Sequence, residues 1–135
     1  MKPYKKLLIL CVLLSQCTPA PAMTDREAIL TIIGEAESEP MQGKIAVGEV
    51  IRRRGSLKGC YGLTAPRVTG KLYSQKTFDD ASLAWRMSKT SNLTGKADGW
   101  GNASDIRKFK TQKWFKKCRV VKQIGNHYFW KQVAK

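Results

Sequence analysis

The sequence is short of acid, of histidine and of usable cysteine. Its 135 residues hold 10 Asp and Glu against 25 Lys and Arg, with one His and four Cys. The deficit of acid leaves a formal charge of +15, and a surface of that sign attracts polyanions. Neither Cys60 nor Cys118 has a second Cys or His at ligand spacing, which excludes an ordinary zinc site. No metal and no other cofactor is expected. The apolar run Leu7 to Leu14 is too short to cross a bilayer as a helix. Repeats and low-complexity tracts are lacking too, so the length fits one domain.

What is present at the N-terminus reads as an export signal. Lys2, Lys5 and Lys6 precede the apolar run, and Ala20-Pro21-Ala22 fits a small-residue cleavage site. This reading assigns residues 1–22 to the signal and 23–135 to the working domain. A second reading uses Leu14-Ser15-Gln16-Cys17 as a lipoprotein box, with Cys17 lipidated and the domain held at a membrane; Gln16 stands where Gly, Ala or Ser is usual. Both place the chain in the periplasm or cell envelope. The polyanions there are cell-wall polymers and lipid headgroups rather than chromosomal DNA. Nucleic acid ranks last as a partner, because the aromatics do not interleave with a basic stretch as a stacking platform would. The mature domain keeps Cys60 and Cys118. Export permits a bridge between them, and two free thiols satisfy the sequence equally.

The elements follow from local chemistry. Thr24-Asp25-Arg26-Glu27 is a capping box. It opens a helix whose apolar residues, Ala28, Ile29, Ile32, Ile33 and Ala36, recur at helical spacing. Pro40 and Gly43 break it. A second helix is predicted over Gln42 to Arg54, with Ile45, Ala46, Val47, Val50 and Ile51 spread widely enough to be buried. Gly48 inside it suits the close approach of another element. Residues 55–76 read as irregular, a third helix fits Asp79 to Ser88, and residues 89–113 read as loop. Two strand-like runs, Arg119 to Ile124 and His127 to Val133, flank Gly125-Asn126, which is a hairpin signal. Helices followed by a small antiparallel sheet define an α+β class.

Glu35 is the side chain best placed for chemistry. It sits at the margin of the first helix's apolar face and near that helix's negative end, and Glu37 and Glu39 follow closely. Each of these disfavours a charged carboxylate. A carboxylic acid kept protonated in this way can protonate a glycosidic oxygen.

Several segments, in order, resemble the cell wall hydrolase family of the spore cortex-lytic enzyme catalytic domain. They are Gly34-Glu35-Ala36; Ala46 to Ile51 with Arg52-Arg53-Arg54-Gly55; Ala81 to Trp85; Thr94 to Asp98; Lys113-Trp114-Phe115; and Ile124 to Phe129, similar to a terminal Gly-x-His-x-Phe hairpin. Leu57 to Leu63 resembles a segment of phage-type members. The resemblance spans Glu27 to Lys131. It implies a small lysozyme-like domain without a cofactor, acting as a monomer on peptidoglycan glycan strands. Glu35 would be the catalytic acid of a lytic transglycosylase, which needs one carboxyl group because the substrate supplies the nucleophile.

A hydrolytic muramidase or glucosaminidase would need a second carboxylate, for which Glu39, Asp79, Asp80, Asp98 and Asp105 are available. A cationic wall-binding module without activity is the reading outside enzymology. For substrate contacts the resemblance offers Glu39, Tyr73, Ser74, Asp98, Trp100, Asn102, Trp114, His127 and Tyr128. Trp100 and Trp114 can stack on sugar faces or fill the core. His127 can bond sugar or hold the site together. The chain departs from the family pattern at Gly99-Trp100-Gly101-Asn102, where many members have a histidine, and at Lys96.

Overall fold

The computed structural model describes residues 22–133. The signal at 1–22 and the lipid-box Cys17 lie outside these residues, save for Ala22.

Among the described residues five helices precede or interrupt a three-stranded antiparallel sheet. In chain order they are α1 (Asp25–Ala36), α2 (Met41–Arg54), the single turn α3 (Pro66–Thr69), α4 (Gln75–Met87), β1 (Gly99–Gly101), α5 (Ala103–Phe109), β2 (Cys118–Ile124) and β3 (His127–Gln132). The class is α+β. Short 3-10 turns lie at Gly62–Thr64 and Trp114–Lys117.

The Thr24 capping box forms as the sequence requires. Its hydroxyl accepts from Glu27 N–H at 3.1 Å, and the Glu27 carboxylate accepts from Thr24 N–H at 2.8 Å. α2 begins directly after Pro40 and ends at Gly55, whose φ of 65° closes the helix. All five apolar residues predicted for its buried face are in the core. Gly48 meets α4: a methyl group there would lie 2.8 Å from Ser88 Cβ. α1, α2 and α4 enclose Ile32, Ile33, Val47, Val50, Ile51 and Trp85, and β3 contributes Phe129. The Trp85 indole N–H donates to Asp25 at 2.8 Å, and the Arg52 guanidinium lies 3.6 Å over its ring.

Three readings need correction. The third helix starts at Gln75 rather than Asp79, because Ser74 caps it by accepting from Thr77 N–H at 3.1 Å. The stretch 89–113 contains β1 and α5. A capping box of Asn102 and Asp105 opens α5, with bonds of 2.9 and 3.0 Å. The stretch 55–76 includes α3 and a 3-10 turn.

The connection before β1 is held by one carboxylate. Glu49 of α2 accepts from Ser91 Oγ at 2.8 Å, Leu93 N–H at 2.9 Å and Thr94 N–H at 3.1 Å. Such bonds to a charged acceptor are among the stronger ones. They fix the segment that delivers Trp100.

In the sheet β3 is central, in the order β1-β3-β2. The predicted hairpin forms, with Ile124 opposite His127. Gly125 has φ 58°, and Gly at the first of two turn residues fits a type II′ turn. Cys60 and Cys118 are unbridged, and burial pushes both thiols up from their ordinary value.

Candidate active site

Glu35 lies in the last turn of α1, at the edge of the core, and is partly exposed. One carboxylate oxygen accepts from Tyr61 N–H at 2.8 Å. The other faces the Trp100 indole N–H at 3.4 Å. That is long for a hydrogen bond, and such contacts in unliganded sites tighten when substrate binds.

Two glycines allow the Tyr61 contact. A methyl group on Gly34 would overlap the Gly62 carbonyl oxygen and lie 2.5 Å from Gly62 Cα. One on Gly62 would lie 2.9 Å from Thr31 Cα and 3.1 Å from Glu35 Cγ. The helix and the loop thus touch backbone to backbone, which leaves no room for a Cβ on either side. This approach carries Tyr61 N–H onto the carboxylate and leaves the Tyr61 ring 76% exposed beside it.

The neighbouring acids do not crowd Glu35 as their sequence spacing suggested. Glu37 turns to Arg67, whose hydrogen bond holds it below its ordinary value of 4.5. Glu39 is buried; it accepts from Asn126 N–H at 3.1 Å and covers Gly125. It ties the α1–α2 junction to the hairpin turn.

His127 lies next to this tie. Burial pushes its pKa below 6.5, against the opposing pull of Glu39, Glu35 and Asp105. Among the described residues its Nδ1 has no hydrogen-bond partner. The imidazole is therefore a neutral group with a polar atom in reserve, among three carboxylates. The sign of the linkage follows. The unfolded chain binds a proton near 6.5 that the folded chain resists, so acid favours unfolding. The melting temperature should hold above about pH 6.5 and fall as pH drops toward the depressed folded value. A His127→Gln variant should remove this slope. An unchanged slope in the variant, followed by thermal melts, would count against the assignment. Glu37 titrates at more acid pH, outside this window.

The structure brings Glu35, Trp100, Glu39 and His127 to one end of the core. Trp100 pairs with Phe129 in register, so it shares the face that meets the helices. Other candidates lie elsewhere. Asp98 accepts from Arg53 Nε at 3.1 Å and from Gln132 N–H at 2.8 Å, which ties β3 to α2. Asn102 and Ser74 cap helices, and Tyr73 stacks on Phe78 with centroids 6.3 Å apart. Tyr128 precedes Phe129 and points to the opposite face of the sheet. Trp114 packs against Trp130 at 5.3 Å, also away from the Phe129 face. Among the described residues no group of three His, Cys, Asp or Glu is arranged to hold a metal ion.

Tyr61 and Gly62 belong to the site's surroundings but were not singled out as site residues from sequence. The signal available was the glycine-flanked aromatic in Gly59-Cys60-Tyr61-Gly62.

No family model and no curated protein matches the chain. Among solved structures it is similar to the catalytic domain of the Bacillus cereus SleB protein. The two are 26% identical, with 84% of this chain and 95% of that one covered, at a TM-score of 0.53. The fold is SleB-like.

Proposed function

We propose that the chain is an exported peptidoglycan-cleaving enzyme of phage type, acting as a lytic transglycosylase between N-acetylmuramic acid and N-acetylglucosamine. The observation that carries this reading is the setting of Glu35: a partly exposed carboxyl group, fixed by a backbone N–H and flanked by the indole of Trp100. The likeness to a catalytic domain supports it.

In the proposed reaction the Glu35 acid gives its proton to the glycosidic oxygen as the bond to the muramic C1 breaks. The C6 hydroxyl of the same muramic residue attacks C1, and the Glu35 carboxylate takes the hydroxyl proton. The acid is restored and an anhydro ring closes. Tyr61 N–H steadies the carboxylate through the ionised stage. Trp100 offers a ring face to sugar and an N–H to the carboxylate. Glu39 accepts a backbone bond from the hairpin, which supports a bracing role rather than that of a second catalytic carboxylate.

Mass spectrometry of products from purified peptidoglycan tests the reaction. Anhydro-muramic ends are expected. Reducing ends would establish a hydrolase instead, and intact glycan would leave a wall-binding module.

A further inference from the structure

The acids and the bases of this chain are unevenly spread. Asp105 is the last acidic residue, and the 30 positions after it hold ten Lys and Arg. The described residues among them form most of α5, the Trp114–Lys117 turn and the β2–β3 hairpin. The ion pairs among the described residues are Arg53–Asp98, Arg67–Glu37 and Lys76–Asp80, and none involves this region. Two of its cations, Arg119 and Lys131, stand directly opposite each other in the sheet. Like charges so placed are destabilising.

Apolar side chains are exposed within the same region. Trp114 is 46% exposed, Val120 40%, Val121 36% and Val133 53%. Next to them a concavity of about 390 Å³ is lined by Lys110, Phe115, Lys116, Cys118, Arg119 and Val120. Lysines on an edge strand can serve simply to block pairing with other sheets. That purpose needs one or two charges, and exposed valines on the same strand work against it.

We propose that this face docks on an anionic lipid bilayer, independently of any lipid at Cys17. Phosphate headgroups would neutralise the cations that line the concavity, Lys110, Lys116 and Arg119. Trp114, which packs on Trp130, and Val120, which stands opposite Trp130, would enter the headgroup boundary, where an indole is well accommodated. A soluble polyanion would meet the cations but leave these apolar groups in water, and this favours the bilayer. No helix among the described residues is long and apolar enough to cross a membrane, so the contact lies on the surface.

The test uses the full chain and vesicles of phosphatidylglycerol and phosphatidylcholine in equal parts, with pure phosphatidylcholine as reference. Cosedimentation with the anionic vesicles alone is expected. Combined Lys110→Glu, Lys116→Glu and Arg119→Glu should weaken binding at least about tenfold. Lys58→Glu, Lys71→Glu and Lys89→Glu together make the same change in net charge elsewhere and should weaken it much less. Equal losses in the two triple variants would overturn the proposal, since total charge would then suffice. Trp114→Ala should weaken vesicle binding severalfold while retention on soluble polyphosphate stays unchanged. If Trp114→Ala binds vesicles as wild type does, or if polyphosphate is preferred to vesicles, the surface serves a soluble polymer and the lipid assignment fails. Glu35→Gln should bind vesicles normally, which separates this result from the fate of the catalytic reading.

Discussion

Glu35→Gln is expected to cut muropeptide release by at least about 10²–10⁴-fold, the share usually supplied by general acid catalysis. The change keeps the side chain's shape and its ability to accept from Tyr61 N–H. It removes the proton that the leaving oxygen needs. The new amide N–H₂ would face the Trp100 N–H, but that contact is already long at 3.4 Å. The stability change should stay within about 1 kcal/mol. The loss should fall on kcat with KM nearly kept, because the missing interaction belongs to the transition state. Thermal melts and turnover on purified sacculi check both halves. A folded variant that releases muropeptides at near-normal rates would remove Glu35 from the chemistry.

Gly34→Ala gives the second large effect, and its sign discriminates between two physical accounts. Helix propensity alone predicts stabilisation of about 0.5–1 kcal/mol, since Gly34 lies inside α1. Packing predicts the reverse. The added methyl meets the backbone of Gly62, where no flexible side chain can move aside. Overpacking of this kind costs about 1–3 kcal/mol and occasionally more, which outweighs the propensity gain. To relieve the overlap the loop must retreat, taking Tyr61 N–H away from Glu35. A displacement of about 1 Å at a reacting group can cost 10²-fold in rate. We therefore expect a lower melting temperature and a fall in turnover together. A variant as stable and active as the parent would show that the close contact is dispensable.

Local chemistry made much of this fold legible. The Thr24 box, the Pro40 break and the Gly125-Asn126 turn act within a few residues of themselves, so the sequence around each suffices. Glu35 was legible because its motif marks it and its helix position suits an acid. The elements that escaped lack periodicity: β1 is the three residues Gly-Trp-Gly, and α5 buries only Ile106. The start signals of α4's first turn and of α5 were present in Ser74 and Asn102, but polar caps carry less weight than apolar spacing when a stretch is mostly polar. The Tyr61 contact was illegible for another reason. Its donor is a backbone N–H, which every residue except proline possesses, and only tertiary packing selects this one. The basic C-terminal face could be found by noting where the acids stop; a charge summed over the whole chain conceals it.

The bond from Glu39 to Asn126 spans 87 residues. It joins the α1–α2 junction to a turn that is made much later. A nascent chain can form α1 and α2 from local contacts, but until the hairpin emerges Glu39 lacks its backbone donor. Trp100 and His127 also arrive late. Closing so long a loop is entropically costly and follows the local steps. Glu35 therefore exists long before Trp100 and His127 do, and a chain stopped short of the hairpin would lack the brace that Asn126 gives to Glu39.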